Sequence, residues 1–434
     1  MPCFFQIEGG MEKKKRFWTE RRKREYIREA EDNLFIVAGP GTGKTTLLSK
    51  RMLNQIMGGE RLSHFLLIAF TEEAVQEFKE KIKKHLYREI AINKEDSHRL
   101  KKKLHGIDRM HIMTFTSFCL WVRKEDRKMR GREEESSSPE SSSPEECCYR
   151  ILQENKSLLQ ILRRDFTKIY ADELQDLNQT QLKILLSLAT DKKGKMRHNC
   201  LFMVGDPRQA IYQEEEETRQ TFFDIKKQME NKRNAHVLYL NENYRANKML
   251  VDWINERFRK RMRPYRDMVA SQKPEFIKHC PFHGIFQRDV FGDEGEALRK
   301  LLLEITGAYP ELRDRDFLIL CKNKERQEYF RNSLEGIGFS ENALEHMVME
   351  AHLSKSLNAN IVIITGTGGE SGALMEGRFI RLEYVAVTRA KHVLIFLKGG
   401  QEGEEWFSDK GYNLSELCRL TLSEEEATSS YIKN

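Results

Sequence analysis

The stretch Leu34–Leu48, Leu-Phe-Ile-Val-Ala-Gly-Pro-Gly-Thr-Gly-Lys-Thr-Thr-Leu-Leu, constrains this chain more than any other. Apolar residues of strand type, Leu34 to Val37, run into a turn holding Gly39, Pro40, Gly41, Thr42 and Gly43. Lys44, Thr45 and Thr46 then open a segment of helix-compatible spacing that reaches Leu53. Strand, glycine-rich turn and helix in that order form the context of a phosphate-binding loop. Glycines let successive backbone N–H groups face one point, and the start of a helix adds partial positive charge there. In such a loop Lys44 reaches the β- and γ-phosphates and Thr45 offers its hydroxyl to Mg²⁺. Ala38 takes the place of the first glycine in the simplest form of the pattern, which leaves the loop glycine-rich all the same. A nucleoside triphosphate site is the expectation.

A chain of 434 residues is long enough for two or three domains and a substantial core. With 32% charged residues and a mean hydropathy of −0.65, it reads as soluble and globular. No apolar run approaches the roughly 18 residues of a membrane span, and Met1–Gln6 does not resemble a signal peptide. Eight scattered cysteines without a Cys-x-x-Cys pair suit reduced intracellular thiols better than a disulfide framework or a zinc site. Cys280 and His283 form a lone Cys-x-x-His, read as structural. The expected location is intracellular, nuclear in a eukaryotic host and cytoplasmic otherwise.

The net charge of +7 is unevenly placed. Lys13–Arg16 with Arg21–Arg24 form one basic run, and Lys79 to Lys103 hold a second. Such clusters track a phosphate backbone, act as an import signal, or are solvated helix faces. Residues 131–146 carry Glu133–Glu135 and two Ser-Ser-Ser-Pro-Glu units, and read as an exposed disordered insertion. Residues 401–434 read as an acidic-polar peripheral tail.

Further strands end on polar groups. Leu66–Phe70 stops at Thr71, and Ala74, Phe78 and Ile82 recur every four residues behind it, as on an amphipathic helix. His111–Phe115 turns toward a helix at Thr116 and Ser117, read as caps. Ile169–Ala171 delivers the adjacent carboxylates Asp172 and Glu173, one suited to hold Mg²⁺ and the other to orient and deprotonate an attacking water. Cys200–Val204 stops at Gly205 and Asp206, with Gln209 placed to sense the γ-phosphate or its water. Strands that present polar groups at their C-terminal ends describe a doubly wound parallel sheet with its ligand on that edge. Asn243-Tyr244-Arg245 adds an aromatic face for a base and a guanidinium for transition-state charge.

From about Thr19 to Leu397 the order of these motifs resembles the superfamily 1 DNA helicases of the UvrD/Rep type. Ala38–Thr45 is similar to that family's first motif, and Ala69-Phe70-Thr71 to the second, which lines single-stranded DNA. Asp172-Glu-Leu-Gln-Asp176 resembles its Asp-Glu-x-Gln-Asp, and Val204–Tyr212 its glutamine-containing switch. Phe317–Cys321 resembles the next strand, and His352–Lys355 and Tyr384–Lys391 the last two motifs. The resemblance implies an α/β fold of two RecA-like P-loop NTPase domains, residues 1–240 and 241–400, with parallel sheets flanked by helices and an ATP cleft between them. The first carries a reduced insertion at about 119–165. The cofactors implied are ATP and Mg²⁺. Lys44, Glu173, Gln209, Arg245 and Arg389 are the implied catalytic set, with Arg389 the second phosphate-facing arginine. Tyr244 is expected to stack adenine beside the loop residues Gly39–Thr46, and Thr45 and Asp172 to hold the metal. Phe70, Thr71, Thr114, Phe115, Tyr212 and His352 are expected to contact DNA.

The chain also departs from the pattern. Arg22, Lys23 and Arg24 occupy the neighbourhood in which the family carries an adenine-reading glutamine. Glu214 stands where a base-stacking aromatic is usual, and Lys355-Ser-Leu-Asn358 replaces Lys-Gly-Leu-Glu. Thirteen residues separate Gly338 from His352, too few for the family's large accessory subdomain. A compact 3′-to-5′ DNA helicase or translocase is the implied activity, acting on single-stranded DNA or DNA with single-stranded ends, in repair and beside a nuclease or repair partner. The alternative is a nucleotide-sensing regulatory subunit of a multi-protein complex, as in antiphage systems of the Gabija type, which resemble it in size.

Overall fold

The computed structural model describes residues 18–94, 96–131, 143–211, 215–271, 280–290, 292–367, 378–398 and 418–419. The chain divides into two units, one of residues 1–39, 43–207 and 212–241, the other of 40–42, 208–211 and 242–434.

The first unit is built on six parallel strands in the order β3-β2-β4-β5-β1-β6. They are β1 (Asn33–Ala38), β2 (Phe65–Ala69), β3 (His111–Thr114), β4 (Lys168–Ala171), β5 (Leu201–Gly205) and β6 (Ala235–Leu240). Runs such as Leu34–Ile36, Phe65–Ala69 and Leu201–Gly205 are buried throughout, the mark of strands covered on both faces. One cover includes Phe118, Leu162, Leu185 and Phe222, the other Leu48, Met52, Phe78 and Ile82. Asn33 is buried at the start of β1 and serves both neighbouring strands. Its Oδ1 accepts from the N–H groups of Cys200 and Leu201, and its Nδ2 donates to the carbonyls of Arg197 and Asn234. Arg51 is equally hidden, with its guanidinium donating to the carbonyls of Ile27 and Asp32 and to Asn199 Oδ1.

Most of the acidic serine tract lies outside the described residues, and its last residues start a helix. Ser143 caps the helix Pro144–Glu154, accepting from Glu146 N–H while the Glu146 carboxylate accepts from Ser143 N–H. The signature Ser-x-x-Glu with proline at the first helical position explains this start. Thr114, not Thr116 or Ser117, caps the helix Phe115–Arg130: its Oγ1 accepts from Ser117 N–H.

The second unit repeats the design with β9 (Gly284–Asp289), β10 (Phe317–Cys321), β11 (Val348–Glu350), β12 (Ala359–Thr367), β13 (Ala390–Lys398) and β14 (Cys418–Arg419) in the parallel order β11-β10-β12-β13-β9-β14. The tail thus contributes an edge strand, while the rest of residues 401–434 lies outside the described residues. A separate pair, β7 (Glu242–Asn243) and β8 (Val269–Ala270), stands beside the helix Lys248–Arg259. The thirteen residues before His352 build the short helix Glu341–Met347 and β11. No accessory subdomain stands at that place. Among the described residues no helix is long and apolar enough to cross a membrane, and Cys119, Cys147, Cys148, Cys200, Cys280 and Cys321 are free.

Candidate nucleotide site

Because the first sheet is parallel, β1, β4 and β5 end on one edge, and β5 lies between the other two. β1 opens into the glycine-rich turn. Gly43 adopts a left-handed conformation, φ 76°, and starts the helix Lys44–Met57 without any side-chain cap. An uncapped helix start directed by glycine suits an anionic ligand. Thr42 is buried, Lys44 and Thr45 are half-buried and Thr46 is exposed. Lys44 Nζ lies 4.0 Å from Glu173 Oε1.

At the end of β4, Asp172 is 8% exposed and its Oδ1 accepts from Glu173 N–H at 2.9 Å. Burial, reinforced by the Glu173 charge and opposed by Lys44, pushes its carboxyl up to about 7. A carboxyl held at that cost is matched to a cation. Glu173 has φ 48° and ψ 45°, a left-handed conformation uncommon for any residue with a β-carbon. Such strain tends to sit where geometry serves function. The remainder of the motif holds it there. Gln175, 1% exposed, donates from Nε2 to Glu173 Oε2 at 2.5 Å, while its Oε1 accepts from Asp206 N–H at 2.8 Å. Among the described residues no cluster of three His, Cys, Asp or Glu side chains forms a dedicated metal cage. Thr45 and Asp172 offer a hydroxyl and a carboxylate, oxygen donors of the kind Mg²⁺ takes one or two of together with substrate phosphates.

The second unit holds the remaining candidates. Gly41, φ 70°, lies against the Asn243 segment: a β-carbon there would come within 2.5 Å of Asn243 Oδ1 and 2.8 Å of Arg245 Cβ. Asn243, which sequence reasoning passed over, donates from Nδ2 to the Pro40 carbonyl and accepts on Oδ1 from the N–H groups of Arg245 and Ala246. Tyr244 donates to Glu242 Oε2, and Arg245 to the Thr388 carbonyl at 2.9 Å. Tyr244 and Arg245 line a cavity of about 770 Å³ together with Asn255, Asp267 and Ser271. Arg389 is buried and donates to the carbonyls of Val385, Lys355 and Leu357, to Thr388 Oγ1 and to Gln209 Oε1. Lys44, Asp172 and Glu173 thus gather in one unit, and Gln209, Arg245 and Arg389 in the other.

The residues expected to touch DNA divide differently. Phe70 is exposed to 40%, as a stacking ring requires. Thr71 caps the helix Glu72–Ile92, accepting from Ala74 N–H, and Ala69 on β2 is in register with Thr114 on β3. The carboxylate of Glu72 accepts from the hydroxyls of Thr114 and Ser117, placing a negative charge among them. Phe115 corrects the expectation: only 5% exposed, its ring belongs to the core beside Phe118 and offers no face to a base. It begins the helix directly after the Thr114 cap and so turns inward. His352 is partly exposed, 3.7 Å from Glu350. Tyr212 and Glu214 lie outside the described residues.

Two parallel sheets flanked by helices, with an uncapped glycine-led helix and paired carboxylates at strand ends on one sheet edge, define a RecA-like P-loop NTPase fold. Residues 19–146 and 145–230 match the family model of the UvrD/REP helicase N-terminal domain, so this part of the chain is similar to UvrD/Rep helicases. It is similar to an ATP-dependent helicase/nuclease subunit of Lactobacillus gasseri, 38% identical over 96 residues, which are 22% of this chain and 8% of that protein. The protein of the same name from Lactobacillus acidophilus is 32% identical over 102 residues, 24% of this chain and 8% of the relative. That from Moorella thermoacetica is 34% identical over 111 residues, 25% and 8%. The matches therefore span under a tenth of these relatives' length.

Proposed function

We propose that this chain is an ATP-dependent DNA translocase or helicase that couples hydrolysis to 3′-to-5′ movement on single-stranded DNA. The observation that carries the reading is the pairing of Lys44 with Glu173 beside buried Asp172, on one strand edge. The loop and Lys44 bind the phosphates, Thr45 and Asp172 hold Mg²⁺, and Glu173 orients and accepts a proton from the attacking water. Bound Mg²⁺ supplies positive charge that offsets charge building on the phosphate oxygens. Arg245 and Arg389 add charge at the transferring phosphoryl group, Gln209 senses it, and Tyr244 stacks on the adenine. Phe70, Thr71, Thr114, Tyr212 and His352 are the proposed DNA contacts. A nuclease or repair factor is the proposed protein partner, and the compartment is intracellular, nuclear in a eukaryotic host and cytoplasmic otherwise. The division at residues 240 and 400, with an insertion over 119–165, is part of the same reading.

A second reading draws on Glu72 among the hydroxyls of Thr114 and Ser117. A carboxylate there repels a DNA backbone and favours a nucleotide-responsive regulatory subunit with weak unwinding. ATP turnover of the purified chain, measured with and without single-stranded DNA, separates the two. Strong stimulation, lost in Lys44→Ala and Glu173→Gln, is expected of the motor. Turnover indifferent to DNA supports the regulatory subunit, and full activity of Glu173→Gln overturns the assignment of the base.

A further inference from the structure

The strain at Glu173 and the hydrogen bonds around it point to one more functional residue. Gln175 is fully enclosed, and each end of its amide has a partner. Its N–H group donates to Glu173 Oε2 at 2.5 Å, and its carbonyl accepts from the backbone N–H of Asp206 at 2.8 Å. Two strand ends are thereby joined, β4 through Glu173 and β5 through Asp206. The seat is close-fitting: a β-carbon on Gly205 would stand 2.6 Å from Gln175 Oε1 and 3.1 Å from Leu174. Gly205 therefore leaves room for the amide. The left-handed backbone of Glu173 directs its carboxylate back to meet that amide. With Oε2 held by Gln175, Oε1 is the oxygen 4.0 Å from Lys44.

We infer that Gln175 is a positioning residue for hydrolysis, holding Glu173 in the orientation of a general base and tying that orientation to the end of β5. The inference rests on the proposed role of Glu173. A carboxylate gripped through one oxygen keeps the other aimed without reorganisation during the reaction, and misplacement by about 1 Å costs on the order of 100-fold in rate. Because Asp206 is followed directly by Pro207, Arg208 and Gln209, a shift of this segment reaches Glu173 through one amide.

Gln175→Glu keeps the acceptor for Asp206 N–H at the same length but cannot donate to Glu173 as a carboxylate. Its kcat for ATP hydrolysis is expected to fall by at least about tenfold with KM for ATP unchanged. Gln175→Met, near in volume and without charge, is expected to lose turnover similarly and stands in should the glutamate variant not fold. In a Glu173→Gln background, Gln175→Met is expected to add no further loss, because it acts only through the missing carboxylate. Unchanged kcat in a folded single variant overturns the inference, as does a full additional loss in the double variant. Unchanged turnover of Glu173→Gln alone instead overturns the base assignment beneath it.

Discussion

Asp172 carries a charge that the folded chain resists. Its carboxyl titrates near 7 when folded, against 3.8 in an exposed carboxyl, because burial and the neighbouring Glu173 disfavour ionisation. The penalty is therefore absent below about pH 4, grows as pH rises, and is complete above pH 7. Asp172→Asn removes it, so in the absence of nucleotide the variant should be more stable than the parent at pH 8, and by less at pH 5. Urea denaturation at the two pH values checks this, and equal gains at both would contradict it. Turnover should be lost at either pH. Gly41 makes the opposite case, a residue for which nothing else fits. Its φ of 70° costs an alanine about 1–2 kcal/mol, and the new methyl would strike Asn243. Gly41→Ala should lower both the melting temperature and ATP turnover. Wild-type values for both would mean that the loop relaxes freely.

At the scale of elements, the first sheet was legible because a strand buried on both faces is written as a continuous apolar run. Leu34–Ala38, Phe65–Ala69 and Leu201–Gly205 all read this way. Helix starts were less so: Thr116 and Ser117 look as good as Thr114 until the backbone decides which hydroxyl meets an N–H. Phe115 was misread for the same reason, since one residue of shift takes a ring from the surface into the core. Asn33 was not legible at all, because its four bonds reach residues 164 to 201 positions away. Asn33→Ala would leave two buried N–H groups, those of Cys200 and Leu201, without acceptors. The expected loss is about 3 kcal/mol, with kcat of the folded protein retained. Chemical denaturation together with turnover tests this, and a loss below about 1 kcal/mol would mean that other groups take over those bonds.

For the whole molecule, a net charge of +7 conceals local pairing. Lys81 and Lys83 pair with Glu77 and Glu80, Lys103 donates to the Glu60 carbonyl, and Lys23 donates to Glu20 and to the Tyr239 carbonyl. The two basic runs that stand out in the sequence are thus partly neutralised within the fold, which composition alone does not reveal. A polyanion gripped by such a surface should be held by few phosphates. For about three neutralised phosphates on a single strand, the affinity falls by roughly tenfold or more between 50 and 200 mM salt. The DNA concentration that half-stimulates turnover is expected to rise by that factor, while turnover without DNA changes little. A much steeper dependence would mean that more phosphates are contacted than these three. A flat one would mean that stacking on Phe70 carries the affinity, and Phe70→Ala should then abolish stimulation at every salt concentration.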